Sequence, residues 1–242
     1  MLLKGTLKNK NKRIIFIIKA IGILFAFSLL LFLLYFFYLR PFHMEFSVVN
    51  SLNYAQKKLN FDSIHFQKNN PIILSDSRLL ELDLDYLNTI NLSIGGETSK
   101  TLNHRIKNYD FQDSSLIILS IGLNDLLFSY NVKNTRKNLK NLLDHLCSKT
   151  KYSDVFICKI LPINVDGFFF DKEEVNNNIS SLNLFLDTIS LKNNNRKKVI
   201  YFSELISSNE SLKIEYTYDG IHFNNKGIEK LKSMLLKEIT YE

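Results

Sequence analysis

Cysteine is scarce in this chain, with only Cys147 and Cys158 among 242 residues. Two thiols make no disulfide framework, and neither sits in a C-x-x-C pair or near a histidine at metal-ligand spacing. No metal site and no cofactor site is expected. Cys147 continues a helical apolar stripe and Cys158 lies in an apolar strand, so both are expected to be buried core residues, free to pair only if the domain is exported. Internal repeats are absent. Acidic residues are missing from positions 1–40, which hold Lys4, Lys8, Lys10, Lys12, Arg13, Lys19 and Arg40. Those seven account for the net charge of +7, because the remaining 24 basic residues meet 24 acidic ones. A duplex-binding protein needs its basic residues clustered on the folded domain. No nucleic-acid partner is therefore expected.

What the N-terminus does have is a long apolar run. Residues 1–13 form a basic head, and Ile14 to Tyr38 is interrupted only by Lys19. The charge-free part, Ala20 to Tyr38, spans roughly 28 Å as a helix, close to the thickness of a bilayer's hydrocarbon core. Lys19 can snorkel at its edge, and Tyr35, Phe36, Phe37 and Tyr38 form an aromatic belt followed by Arg40. No small-x-small cleavage site follows the run, which favours an uncleaved signal-anchor over a signal peptide. With the positive head retained in the cytoplasm, residues 41–242 are expected outside the cell membrane. Val48, Val49, Leu52, Ala55 and Leu59 recur at helical spacing, predicting one helix over 46–59 in a stalk or docking segment, 39–66.

From Pro71 the pattern changes. Ile72–Leu74, Leu87–Ile94, Leu116–Ile121, Val155–Leu161 and Lys198–Phe202 read as five strands, several of them continuously apolar, as strands buried on both faces are. Helical stripes lie between them: Leu139, Leu142, Leu143, Leu146 and Cys147; then Val175, Ile179, Leu182, Leu186 and Ile189; then Ile228, Leu231, Leu235 and Ile239. Alternating strands and helices predict an α/β domain over 67–242, in three layers around a five-stranded parallel sheet, with ligands at the carboxyl ends of the strands. The Asn-rich patches at 176–178 and 193–195 read as helix-start and loop residues.

Four polar segments fall at those ends or in the last loop: Ser75-Asp76-Ser77-Arg78, Asn91 through Gly95-Gly96-Glu97-Thr98, Gly122-Leu123-Asn124-Asp125, and Tyr218-Asp219-Gly220-Ile221-His222. Each alone has a plain explanation, as a helix cap, a glycine turn or a surface histidine. Together they supply what ester hydrolysis by serine requires: a nucleophile, a base, a group that orients the base, and donors for the oxyanion. Ser77 supplies the hydroxyl, His222 the base and Asp219 the orienting carboxylate. The N–H groups of Ser77 and Gly96 and the side-chain amide of Asn124 are candidate oxyanion donors. Arg78, beside the nucleophile, is expected in a structural salt bridge.

The four segments resemble, in order, the conserved blocks of the SGNH (GDSL) hydrolase superfamily. Ser75-Asp76-Ser77 matches its Gly-Asp-Ser block, with Ser75 where the family usually has Gly. Asn91 to Thr98 matches Asn-x-x-x-x-Gly-(Asp/Glu)-Thr, Gly122 to Asp125 matches Gly-x-Asn-Asp, and Asp219 to His222 matches Asp-x-x-His. The resemblance covers about residues 70–240. It implies a flavodoxin-like three-layer fold, a Ser77–Asp219–His222 triad and an oxyanion hole from Ser77, Gly96 and Asn124. The function it favours is a membrane-anchored esterase of the cell envelope, removing O-acyl groups, acetyl foremost, from a glycan or small acylated molecule through an acyl-enzyme. The alternatives are an O-acyltransferase with an acyl-donor partner in the membrane, a lysophospholipase, or an inactive binding module on the same fold. Substrate choice falls to loops such as 123–134 and 163–175, where Phe168, Phe169 and Phe170 read as packing residues.

Overall fold

The computed structural model describes residues 2–64, 70–84, 87–111, 114–129, 131–150, 153–167, 170–190 and 196–240. The patch at 193–195 and two of the three clustered phenylalanines, Phe168 and Phe169, lie outside these residues. The chain forms two compact units, 1–44 and 45–242.

The first unit holds helix α1 (Leu2–Leu34), a π-helical turn, Tyr35–Leu39, and the start of α2 (Arg40–Val49), whose last residues belong to the second. The stretch Arg13–Leu34 has a mean hydropathy of 2.7 and none of its residues buried, making it a candidate membrane span or signal sequence. A helix apolar on every side and unburied has no protein core to serve. In the aromatic belt, the Tyr35 hydroxyl and His43 Nδ1 share a hydrogen bond at 2.7 Å, and the Arg40 guanidinium lies over the Phe36 ring.

In the second unit the predicted helix over 46–59 is broken at Ser51. That residue takes an extended conformation and caps α3 (Leu52–Asp62), its Oγ accepting from Tyr54 N at 3.1 Å. The aliphatic stripe is not the packing face either. Leu52 and Leu59 are 88% and 70% exposed, whereas Tyr54 is 5% exposed and Phe61 packs on the core. An aromatic pair seven residues apart buries more area than the leucines would, and it sets the helix face.

The sheet contains β1 (Ile72–Ser75), β2 (Ile90–Asn91), β3 (Leu116–Ser120), β4 (Asp154–Cys158) and β5 (Lys197–Ile200), all parallel, in the order β2-β1-β3-β4-β5. β2 is far shorter than the expected 87–94. Asn88 enters it with φ of 50°, yet hydrogen bonds to β1 continue beyond it, from Leu92 N to Ile73 O and Ile94 N to Ser75 O. Successive residues of each strand point to opposite faces. Ile72, Leu74, Ile117, Leu119, Val155 and Ile157 join one core with α4 (Ser99–Arg105), α5 (Leu123–Ser129), α6 (Val132–Lys149) and α7 (Lys172–Ser190). Ile73, Ile118, Phe156, Cys158 and Ile200 join another with Ile228, Leu231 and Leu235 of α8 (Asn225–Thr240). Phe170 packs against the first core. The two cysteines are free. Cys158 is buried as expected, but Cys147 is only half-buried, because it lies at the edge of the α6 stripe.

Candidate active site

All four sequence segments meet at the carboxyl ends of the strands. β1 ends at Ser75, which pairs in register with Ser120 of β3. Ser75 is fully buried with its Oγ unpartnered, and its φ is not positive, so a Cβ is accommodated where the resembled family has glycine. The chain then turns into a single 3₁₀ turn, Ser77–Leu79. The cap of that turn is Asp76, whose carboxylate accepts from Arg78 N at 3.0 Å. Ser77 therefore does not cap, and its hydroxyl is left for the histidine.

His222 Nε2 lies 3.0 Å from Ser77 Oγ, and its Nδ1 lies 2.6 Å from Asp219 Oδ2. The other Asp219 oxygen, Oδ1, accepts from the backbone N–H groups of Ile221 and His222, at 2.9 and 2.7 Å. Burial works against the Asp219 charge. The hydrogen bonds from the His222 ring and from both backbone groups outweigh it and hold the carboxyl below its ordinary value. With Nδ1–H donated to Asp219, Nε2 is free to accept a proton from Ser77. The loop is shaped by Gly220, whose φ is +84° and where a Cβ would stand 2.7 Å from Asn164 O. Only glycine permits both the left-handed backbone and that approach. Tyr218 stacks on the His222 ring with 5.7 Å between centroids.

Among the described residues Arg78 makes no salt bridge, contrary to expectation. It is 6% exposed and donates to three carbonyls: Nε to Ile221 O at 2.9 Å, Nη1 to Leu161 O at 2.5 Å and Nη2 to Pro162 O at 3.1 Å. Burial lowers its pKa to about 10, with Asp76 and Asp219 opposing. One side chain thus ties the turn of Ser77 to the loop of His222.

The second segment supplies backbone. Asn91 Nδ2 donates to Leu79 O and Leu82 O, at 2.8 Å each, fixing the loop after Ser77. Gly96 has φ of +75°, and a Cβ there would meet Val48 Cγ2 at 2.8 Å. A Cβ on Gly95 would lie 3.8 Å from Ser77 Cβ, so this turn flanks Ser77. Asn124 is 9% exposed, and its Nδ2 donates to Glu97 O at 3.1 Å. Asp125 is buried and accepts from Ser99 N at 2.8 Å and Ser99 Oγ at 2.5 Å, joining α5 to α4. The structure thus gathers Ser77, Asp219 and His222 into one hydrogen-bonded line, with Gly96 and Asn124 joined through Glu97. Among the described residues no group of His, Cys, Asp and Glu gathers at metal-binding spacing.

Three contributors were not legible as such in the sequence. The Arg78 clamp donates to backbone carbonyls, which no residue type in the sequence signals. Glu97 and Arg105 form a fully buried pair, Nη2 to Oε2 at 2.7 Å. The only trace of that pair is an acid followed by an arginine at the end of the next short helix. Tyr54 lies 43 residues before its partner Glu97.

The model of the GDSL-like lipase/acylhydrolase family matches residues 77–230. Two curated proteins from Streptococcus agalactiae, of serotypes III and Ia, are each 23% identical over 193 residues. Both are named N-acylneuraminate cytidylyltransferase. The match takes in 78% of this chain but only 43% of theirs, so the chain spans less than half the length of those relatives. Two solved structures share the fold. A protein described as an acylhydrolase from Bacteroides fragilis has a TM-score of 0.63 and 20% identity, covering 80% of this chain and 97% of its own. A GDSL-like lipase from Bacteroides thetaiotaomicron has a TM-score of 0.63 and 18% identity, covering 80% and 98%.

Proposed function

Because the chain belongs to the GDSL-like lipase/acylhydrolase family and so is an ester-hydrolysing enzyme, we propose that it removes O-acyl groups, acetyl foremost, from a glycan or other small acylated molecule of the cell envelope. The observation that carries this reading is the line from Asp219 through His222 to Ser77, at 2.6 and 3.0 Å. Ser77 Oγ attacks the acyl carbon while His222 Nε2 takes its proton. The N–H groups of Ser77 and Gly96 and the Asn124 amide receive the oxyanion. His222 returns the proton to the departing alcohol, leaving an acyl-serine. Water, deprotonated by the same imidazole, then attacks the acyl carbon, and His222 passes the proton to Ser77 Oγ as the bond to serine breaks and the acid leaves. General base catalysis of this kind is worth roughly 10²–10⁴ in rate, and each oxyanion donor about 3 kcal/mol.

Two features support a sugar ester. The curated relatives are named N-acylneuraminate cytidylyltransferase, and the sugar in that name is the class taken here to carry the ester. The site is also shallow, with the His222 and Asp219 side chains 32% and 38% exposed, which suits an acyl group presented on a large molecule. The apolar stretch Arg13–Leu34 supports placement at a membrane, with the basic head on the cytoplasmic side and the enzyme on the other.

The test uses the full chain in detergent with p-nitrophenyl acetate, an O-acetylated sialic acid and a lysophospholipid. Hydrolysis of the two acetyl esters that is abolished in Ser77→Ala is the expected result. Equal rates for wild type and Ser77→Ala would overturn the triad assignment, and preference for the lysophospholipid would overturn the substrate class.

A further inference from the structure

Helix α3 precedes the sheet in the chain, yet its one buried residue reaches the turn beside the nucleophile. The Tyr54 hydroxyl donates to Glu97 Oε1 at 3.3 Å. Arg105 completes the enclosure of that carboxylate, with Nε 2.8 Å from Oε1 and Nη2 2.7 Å from Oε2. Arg105 Nη2 also donates to Leu92 O at 2.8 Å, in the segment that leads into the glycine turn. Its guanidinium lies 5.5 Å from the centre of the Phe61 ring, a second contact from α3. Burial, and next the charge of Glu97, push the Tyr54 phenol up, so it remains a donor at any physiological pH.

Glu97 matters because of where it sits. It directly follows Gly96, and its own N–H donates to Ile94 O at 3.3 Å, closing the turn that carries the Gly96 N–H. Its carbonyl accepts from Asn124 Nδ2 at 3.1 Å and so orients that amide. Two of the three oxyanion donors are therefore set by one residue, whose own side chain is held by α3 and α4. From the other side, Val48 fills the space in which a Cβ on Gly96 would stand. A fully buried ion pair is weak evidence of stabilisation, since apolar residues of equal volume serve stability as well. Fixed geometry is what such a pair supplies here.

We propose that Tyr54, Glu97 and Arg105 are positioning residues for the oxyanion hole, making α3 a working part of the enzyme and not a spacer. This rests on the assignment of Gly96 and Asn124 as oxyanion donors. Displacing a donor costs less than deleting one, which costs about 10²–10³ in kcat. Tyr54→Phe keeps the ring and loses only the hydroxyl, so kcat should fall about threefold to tenfold. Glu97→Gln should lower kcat about tenfold to hundredfold, with KM unchanged in both variants.

Steady-state hydrolysis of p-nitrophenyl acetate by the full chain in detergent, run well below each variant's unfolding temperature, reads this out. Leu235→Ala, a core change in α8 on the opposite face of the sheet, controls for lost stability and should leave kcat unchanged. Tyr54→Phe keeps the test available if Glu97→Gln does not fold. A kcat within twofold of wild type in Tyr54→Phe, a loss confined to KM, or an equal loss in Leu235→Ala would overturn the proposal while Ser77-dependent hydrolysis stands. Absence of any Ser77-dependent hydrolysis in wild type would overturn this proposal together with the functional reading beneath it.

Discussion

Arg78 holds the two halves of the site together without an acidic partner. Its guanidinium donates to the carbonyls of Leu161, Pro162 and Ile221, the last belonging to the residue just before His222. A charge taken out of water is tolerated because its donors are met, and the carbonyls in turn depend on it. Arg78→Ala leaves those carbonyls without their buried donor. It is expected to lower the unfolding free energy by on the order of 3 kcal/mol. Urea denaturation should show the loss, and p-nitrophenyl acetate turnover should fall with it because the His222 loop is untethered. Arg78→Lys should recover little, since an ammonium group lacks the planar fork that reaches three acceptors.

Among the elements, α8 and α3 make opposite cases. α8 carries Leu231 and Leu235, 1% and 0% exposed, over the face of the sheet formed by Ile73, Ile118, Phe156 and Ile200. Leu235→Ala is expected to cost about 2–5 kcal/mol, as large-to-small changes in a closed core do. In α3 the aliphatic residues are outside, with Leu52 88% exposed. Leu52→Ala should change stability by less than about 0.5 kcal/mol. Paired thermal melts of the two variants check both statements, and a large effect at Leu52 would show that its face is covered. The short α4 is fixed differently, by a capping box in which Thr98 and Thr101 satisfy each other's backbone N–H groups.

For the molecule as a whole, stability should depend on pH through Asp125. Burial pushes its carboxyl up to about 7, against hydrogen bonds from Ser99. The unfolded chain releases this proton near the ordinary aspartate value, while the folded chain keeps it until about pH 7. Between those values the folded state binds more protons, so stability falls as pH rises, by up to about 1.4 kcal/mol per pH unit from this group. Thermal melts from pH 4 to pH 7 should show wild type losing stability relative to Asp125→Asn, which cannot titrate. Parallel curves for the two proteins would refute it. Asp219 runs the other way. Its depressed pKa gives support that is present above the ordinary aspartate range and fades as pH drops through its lowered value.

The alternation of apolar runs and helical stripes was enough to specify a parallel five-stranded α/β domain, because burial on both faces leaves its mark on every residue of a strand. The apolar stretch after the basic head was equally plain, since its composition is uniform around the helix. Ser77, Asp219 and His222 were legible because their chemistry demands particular side chains in short segments. What the sequence did not carry depends on partners distant in the chain or on backbone atoms. Arg78 binds carbonyls, which every residue has. Tyr54 pairs with Glu97 only once the chain is folded. The break at Ser51 and the turning of α3 onto its aromatic side follow from where α4 and the glycine turn come to lie. Asp76, not Ser77, caps the turn, and only the folded geometry separates two residues with the same capping chemistry. Sequence alone determined which groups this protein possesses and which layer each belongs to. Tertiary structure decided which hydroxyl meets the imidazole and which carbonyl holds the Asn124 amide, because those are distances between segments and no local pattern encodes them.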